Sequence, residues 1–237
     1  MEKTAIITGA SGNGIGRSVA LTLARDGFQV VVNYRTNRKS AEELCKVINN
    51  DGGNAIAIQA DVFSHQDCER LISESVSYFG RIDVCIIGPG ADWNPEPVEE
   101  LNVTKSLKDM LQEVQPVYSL VPKLIPEMEK TSNGRIIAIA SNPKLPSPSY
   151  AYNTAKNARI TAMLGMVDTC WKHKITLNVI APGPIEHLET LSDAIEQTKD
   201  FPATTGSISP QDVAEMVSYI CSDKGRYLTG NVIEYQF

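Results

Sequence analysis

No apolar run in the sequence approaches the roughly 18 residues of a membrane-spanning helix, so no membrane partner is expected. Cysteine is scarce: the 5 present (Cys45, Cys68, Cys85, Cys170 and Cys221) are odd in number and form no CxxC pair. That usage argues against a disulfide framework and for a reduced, cytoplasmic compartment in which thiols serve as small core residues. Histidine is scarcer still. His65, His173 and His187 are scattered, with no HExxH and no metal-ligand spacing, so no metal is expected. Basic residues are outnumbered, and the net charge of −6 argues against a nucleic-acid surface, which needs a clustered basic face. No linker, low-complexity tract or internal repeat divides the 237 residues. The chain opens Met1-Glu2-Lys3-Thr4 straight into a strand-like run, so one domain without a signal peptide is expected over 1–237.

What is present is an alternation of short β-branched runs with amphipathic stretches. Strands are predicted at Thr4 to Thr8, Phe28 to Asn33, Ala55 to Gln59, Asp83 to Ile87, Arg135 to Ala140, Ile175 to Ile180 and Asn231 to Tyr235. Helices are predicted at about Ile15 to Asp26, Ser40 to Asn50, Cys68 to Phe79, Ser106 to Lys130, Tyr152 to Cys170, Leu188 to Thr198 and Asp212 to Ser222. Near-continuously apolar strands separated by helices imply an α/β, doubly wound Rossmann fold: a seven-stranded parallel sheet flanked by helices.

The first strand-turn-helix reads TGASGNGIGRSVA from Thr8. A glycine-rich turn there lets backbone N–H groups approach a pyrophosphate at the helix N-terminus, and the context that the motif requires stands on both sides. Gly9, Ser11, Asn13, Gly14, Ile15 and Gly16 are the candidate contacts. Many dinucleotide folds carry an acid at the end of the second strand, to hold the ribose 2′-hydroxyl. Here the chain has Asn33-Tyr34-Arg35, then Arg38 and Lys39. A guanidinium binds a phosphate with paired hydrogen bonds, so NADP(H) is expected over NAD(H), with Tyr34 and Arg35 at that end. The bland alternative is that Arg35 and Arg38 only solvate a helix start.

Six landmarks then occur in order: Thr8 to Gly16, Ala60-Asp61-Val62, Gly134-Arg135-Ile136-Ile137 running to Ser141, Tyr152-x-x-x-Lys156, Asn178 to Gly183, and Leu228-Thr229-Gly230. With these, nearly the whole chain resembles the short-chain dehydrogenase/reductase family, and most of all its ketoacyl-carrier-protein reductase-like members. The resemblance implies an NAD(P)-dependent oxidoreductase acting on CH–OH groups, a carbonyl reductase in one direction. Tyr152 would be the proton donor, Lys156 one helical turn later would favour the phenolate, and Ser141 would orient the substrate oxygen. An ordinary tyrosine titrates near 10, so the phenol is expected to be lowered by several units. Ligands of open α/β sheets bind beyond the carboxyl ends of the strands. By that rule Asp61 and Val62 should meet the adenine, Gly88, Pro89 and Gly90 the adjoining ribose, and Pro182, Gly183 and Ile185 the nicotinamide. The family commonly forms homodimers or homotetramers through its long helices and last strand.

Four departures from the family pattern stand out. Gly9 is followed by four residues before Gly14, one more than usual. Ile86-Ile87-Gly88-Pro89-Gly90 replaces the usual Asn-Asn-Ala-Gly. The helix asparagine that relays protons in many members is absent: Glu113 or Val114 falls there, with Gln115 nearby. The loop from Ser141 to Tyr152 is short and carries Pro143, Pro146 and Pro148, and the chain ends at Phe237 without the Gly-Gly often found after the last strand. The alternative reading is therefore a catalytically weak or silent NADP(H)-binding homologue acting as a sensor or oligomer partner. The substrate is expected to be a small carbonyl or alcohol. A short lid-like insertion is expected at about 186–209; Trp93, Leu188, Leu191 and Phe201 hint at a partly apolar pocket, with plain local packing as the equal alternative.

Overall fold

The computed structural model describes residues 2–93, 95–144, 150–186, 188, 190–200 and 208–235. Its β-branched runs form β1 (Thr4–Ile7), β2 (Gln29–Tyr34), β3 (Asn54–Gln59), β4 (Val84–Ile87), β5 (Gly134–Ile139), β6 (Ile175–Ala181) and β7 (Val232–Glu234). All seven pair in parallel, in the order β3-β2-β1-β4-β5-β6-β7. Around them lie α1 (Ile15–Arg25), α2 (Arg38–Asn50), α3 (His65–Phe79), α4 (Val103–Glu129), α5 (Tyr150–Leu164), α6 (Val167–Lys172), α7 (Leu191–Lys199) and α8 (Pro210–Cys221). This is the expected doubly wound Rossmann architecture.

The inner strands are mostly apolar because both faces are covered, whereas the edge strands β3 and β7 are only partly buried. Ala5, Ile7, Val30, Val32, Ile86, Ile137 and Ile139 point into one core with Val19, Leu23, Leu44 and Val217 of α1, α2 and α8. The alternate residues, Ile6, Val31, Cys85, Ile87, Ile136 and Ala138, point into a second core with Leu71, Leu120, Leu124 and Met163 of α3, α4 and α5. This period of two fixes the register, because a one-residue slip would exchange the cores.

One predicted element is corrected. The helix expected from Tyr152 to Cys170 is two helices, broken at Gly165 and Met166, where Met166 N–H turns back to the Met163 carbonyl at 3.0 Å. Glycine is a poor helix former, and α6 restarts from Met166 without a side-chain cap.

The strand order reverses between β1 and β4, opening a crevice at their carboxyl ends. Two of the landmarks have a purely architectural part in the fold: the Asn178 Nδ2 donates to the Leu228 carbonyl at 2.8 Å, and its Oδ1 accepts from Asn231 N–H, holding the turn before β7 against β6.

Candidate active site

The floor of the crevice is built by four hydrogen bonds. Thr8 Oγ1 donates to the Ile86 carbonyl at 2.9 Å and accepts from Gly88 N–H at 3.0 Å, which ties the end of β1 to the end of β4. Asn33 Oδ1 accepts from Gly9 N–H at 3.2 Å, while its Nδ2 donates to the Ala60 carbonyl at 3.0 Å. One buried amide therefore ties the glycine turn and the β3 exit together. Pro89 lies against Gly9, whose φ of +67° places it in the left-handed region that glycine tolerates best.

Gly14 caps α1 without any side-chain hydrogen bond, and the first turn of α1 carries no acid. By contrast α2, α3, α4, α7 and α8 are each capped by a side chain, from Asn37, Ser64, Asn102, Thr190 and Ser209. The free amides and the positive end of the helix dipole at Ile15 and Gly16 therefore suit an anion. No heavy atom lies within 4 Å of where a Gly14 Cβ would stand, while a Cβ on Gly16 would meet Ala10 Cα at 3.0 Å. So Gly14 leaves room for a ligand, and Gly16 lets the helix close on the turn. Ser11 accepts from Ser40 Oγ through its carbonyl at 2.9 Å, and Asn13 Oδ1 takes a hydrogen bond from Arg17.

At the end of β2, Tyr34 is buried within the first core and Arg35 is exposed. The Arg35 guanidinium stands 5.8 Å from the Phe63 ring centroid, and among the described residues it has no carboxylate at ion-pair distance. Arg38 is instead committed to Glu42 at 2.6 Å. Asp61 Oδ1 accepts from Phe63 N–H at 3.1 Å, and Val62 is buried.

Tyr152 and Lys156 stand one turn apart on α5, and Ser141 follows the carboxyl end of β5. Ser141 is held between Ala140, whose N–H donates to the Ile180 carbonyl at 2.8 Å, and Asn142, whose N–H donates to the Pro182 carbonyl at 2.9 Å. Lys156 is buried, with its Nζ 5.2 Å from the Tyr152 ring centroid. Trp93 meets the Tyr152 ring edge-on, with centroids 5.1 Å apart. The sequence had not anticipated what lies beneath. Glu113 is fully buried, with Oε1 2.8 Å from Lys156 Nζ and accepting from Ala91 N–H at 2.7 Å, and Oε2 2.7 Å from Arg159 Nε.

Of the residues expected near the missing asparagine, Glu113 is the one that reaches Lys156, while Gln115 donates to the Phe63 carbonyl. Arg159 was missed altogether. Its signal was an arginine in helical register with Tyr152 and Lys156, where an apolar residue was due. The expected lowering of the phenol is also corrected. Burial first, and the Glu113 carboxylate second, push Tyr152 up to about 12, against a smaller opposing effect of Arg159. Burial lowers Lys156, and Glu113 opposes that.

Of the remaining predicted positions, Pro182 is buried, Gly183 is partly exposed, and Ile185 forms a parallel bridge with Ile208. Leu188 is buried in the first core, and Leu191 packs against that core. Helix α7 lies along α1. Pro146, Pro148, His187, Phe201 and Phe237 lie outside the described residues. A groove of about 1000 Å³ lined by Phe28, Gly53 and Thr198 opens at the opposite, amino end of the sheet and holds none of the crevice residues. Among the described residues no three His, Cys, Asp or Glu side chains are grouped to hold a metal, and no helix is long and apolar enough to cross a membrane.

The family model described as short chain dehydrogenase matches residues 3–198. The chain belongs to the short-chain dehydrogenase family. It is similar to the 3-oxoacyl-(acyl-carrier-protein) reductase FabG of Staphylococcus epidermidis, with 31% identity covering 98% of this chain and 97% of that protein. The uncharacterized oxidoreductase YmfI of Bacillus subtilis is 30% identical over 98% of this chain and 97% of its own. Among solved structures, the acetoin dehydrogenase YohF of Salmonella typhimurium superposes with a TM-score of 0.84 at 26% identity, covering 99% of this chain and 94% of that one. As a short-chain dehydrogenase the protein is an oxidoreductase acting on CH–OH groups. The uncapped α1 N-terminus and the open space at Gly14 fit the pyrophosphate of the family's nicotinamide dinucleotide.

Proposed function

We propose that the protein is an NADP(H)-dependent oxidoreductase that interconverts a small carbonyl and the corresponding alcohol, with Tyr152 as general acid/base. A bound nicotinamide supplies the hydride for reduction and takes it back in oxidation. Tyr152 gives its phenolic proton to the oxygen that gains the carbonyl electron pair, and as phenolate it removes that proton in the reverse direction. Ser141 donates a hydrogen bond to the same oxygen and orients it. Lys156 supplies a buried positive charge on the same helical face. The observation that carries the reading is the 5.2 Å approach of Lys156 Nζ to the Tyr152 ring, on a helix beside the strand end that leads to Ser141.

The preference for the 2′-phosphorylated cofactor rests on Arg35, exposed at the end of β2 without an ion-pair partner among the described residues, where an acid would repel a phosphate. We extend the reading to a cytoplasmic homodimer or homotetramer. All five cysteines are free and buried, and α4 carries an exposed apolar stripe.

Titration with NADPH and, separately, NADH, following nicotinamide fluorescence, tests the cofactor. 3-Oxoacyl thioesters and acetoin, suggested by the relatives' names, are the first substrates to screen. Tight NADPH and weak NADH binding with turnover of a ketone is the expected result. Binding without turnover of any carbonyl or alcohol would favour the silent homologue, and binding of neither nucleotide would defeat the proposal.

A further inference from the structure

We propose that Glu113 is a positioning residue for this site: with Arg159 it forms a buried three-charge clamp that fixes the Lys156 ammonium beside Tyr152 and sets the net charge facing the phenol. This rests on the reading of Tyr152 as the proton carrier. Glu113 stands on the buried face of α4 in line with Val117, Leu120 and Leu124, a register in which a carboxylate needs a specific partner. It has two. Lys156 Nζ and Ala91 N–H both reach Oε1, and the Arg159 guanidinium lies against Oε2.

Four of the five Arg159 N–H groups are spent elsewhere. Nε donates to the Glu113 main-chain carbonyl at 3.1 Å, Nη1 to the carbonyls of Gly88 at 3.0 Å and Ile139 at 2.8 Å, and Nη2 to that of Pro89. The guanidinium thus joins α4 to the exits of β4 and β5. It faces Oε2 at 2.7 Å as a charge, and Oε2 has no hydrogen-bond donor of its own among the described residues. The loop has adapted to the carboxylate as well, because a Cβ on Gly90 would lie 2.3 Å from Oε1.

The clamp holds two cations and one anion, each at most 9% exposed by side chain. Asp92, in the loop after β4, adds a more distant negative charge that acts on Lys156. The strand ends beneath α5 contribute no titratable group, being Ile139 and Ala140, Ile180 and Ala181. Without the Glu113 charge two cations would face the phenol unopposed, and the phenolate would form at lower pH. Without the Arg159 charge the carboxylate would be half balanced, and the phenolate would form at higher pH.

Cofactor-free protein carrying 3-fluorotyrosine, whose phenol ionises at lower pH than that of tyrosine, brings the titration into the stable range. Fluorine NMR reads it, with the Tyr152 resonance assigned from Tyr152→Phe. Glu113→Gln is expected to move the Tyr152 midpoint down by about one pH unit or more, and Arg159→Met to move it up. Equal midpoints in folded variants, or shifts of the same sign, would overturn the clamp. Should neither variant fold, the unmodified clamp still decides: Tyr152 is expected to ionise above free 3-fluorotyrosine, and a midpoint below that of the free amino acid would overturn the proposal. No nucleotide or substrate enters this titration. The clamp can therefore stand while a failed substrate screen removes the reductase reading, and the reverse.

Discussion

Pro89 occupies the space that a side chain on Gly9 would need: a Cβ there would lie 2.6 Å from the proline Cγ. Both residues sit at the point where the strand order reverses, Gly9 leaving β1 and Pro89 leaving β4. The Gly88-Pro89-Gly90 segment, a departure from the family pattern, is therefore fitted to the glycine turn beside it. Proline lacks an N–H, so Gly88 N–H and Thr8 Oγ1 carry the tie between the two exits.

Two alanine substitutions should separate architecture from ligand binding. Gly9→Ala meets both the proline ring and an unfavourable φ, and is expected to destabilise the fold by about 1–3 kcal/mol. Gly14→Ala meets nothing within 4 Å, so the melting temperature should hold while nucleotide affinity falls at least about tenfold, because the methyl group fills the space left for the ligand. Thermal melting and a binding titration on each variant check this. A Gly14→Ala protein that binds normally would show that the turn does not face the pyrophosphate.

Tyr152→Phe keeps the ring that meets Trp93 and removes the phenolic hydroxyl. Turnover is expected to fall by about 10²–10⁴-fold, the usual contribution of a positioned acid or base, with nucleotide affinity changed only a few-fold. Steady-state kinetics beside a binding titration tests it. Persistent turnover would assign the proton transfer to another group.

The legibility of the chain followed the physics of each part. Strands buried on both faces read as apolar runs, so all seven were predicted within a residue or two of their observed limits. Tyr152, Lys156 and Ser141 could be named as candidates from the sequence because spacing and position carry the chemistry proposed for them. The break at Gly165 was not, since a helix tolerates an isolated glycine as readily as it ends at one. Glu113 and Arg159 are 46 residues apart on different helices, and no local pattern says that two charges will be buried together. Burial first and the Glu113 carboxylate second raise the phenol, and that carboxylate also faces the ammonium expected to favour the phenolate.

The direction of the Tyr152 shift fixes a pH dependence. On the role proposed for Tyr152, carbonyl reduction needs the protonated phenol, so its rate falls only as pH rises through the phenol's pKa. Alcohol oxidation needs the phenolate, so its rate rises over the same range. A phenol pushed up to about 12 places both limbs on the alkaline side in the nucleotide-free protein. Profiles of kcat/KM, which report the free enzyme, should therefore be flat for reduction from neutral pH to about 9 and still rising for oxidation there. A reduction profile already falling near neutrality would mean that the phenol is not held high.

Arg35→Asp exchanges an exposed cation at the end of β2 for a carboxylate. NADPH affinity is expected to fall at least about 30-fold, from the lost paired hydrogen bonds and the new repulsion, with NADH affinity unchanged or improved. Parallel titrations with both nucleotides decide it. An equal loss for the two would remove the case for 2′-phosphate recognition at Arg35.

The outer face of α4 carries Val103, Leu107, Leu111 and Tyr118 at helical spacing, each more than half exposed. Beside it, Tyr118 and Val114 line a shallow groove with Ala158, Thr161 and Gly165 of the α5 side. Small residues there would allow close approach of a second helix pair, and a second copy of this chain brings a matching stripe related by a twofold axis. Burying a leucine side chain contributes about 1.5–3 kcal/mol, whereas a buried unpaired carboxylate costs more than that. Leu107→Glu with Leu111→Glu is therefore expected to convert a dimer or tetramer into a species of 25.9 kDa, read by light scattering after size exclusion. Tyr78→Glu, equally exposed but on α3, should leave the mass unchanged. An assembly that survives both α4 charges would have to be held by another face, and a native protein already at 25.9 kDa would leave the stripe without a second copy to cover it.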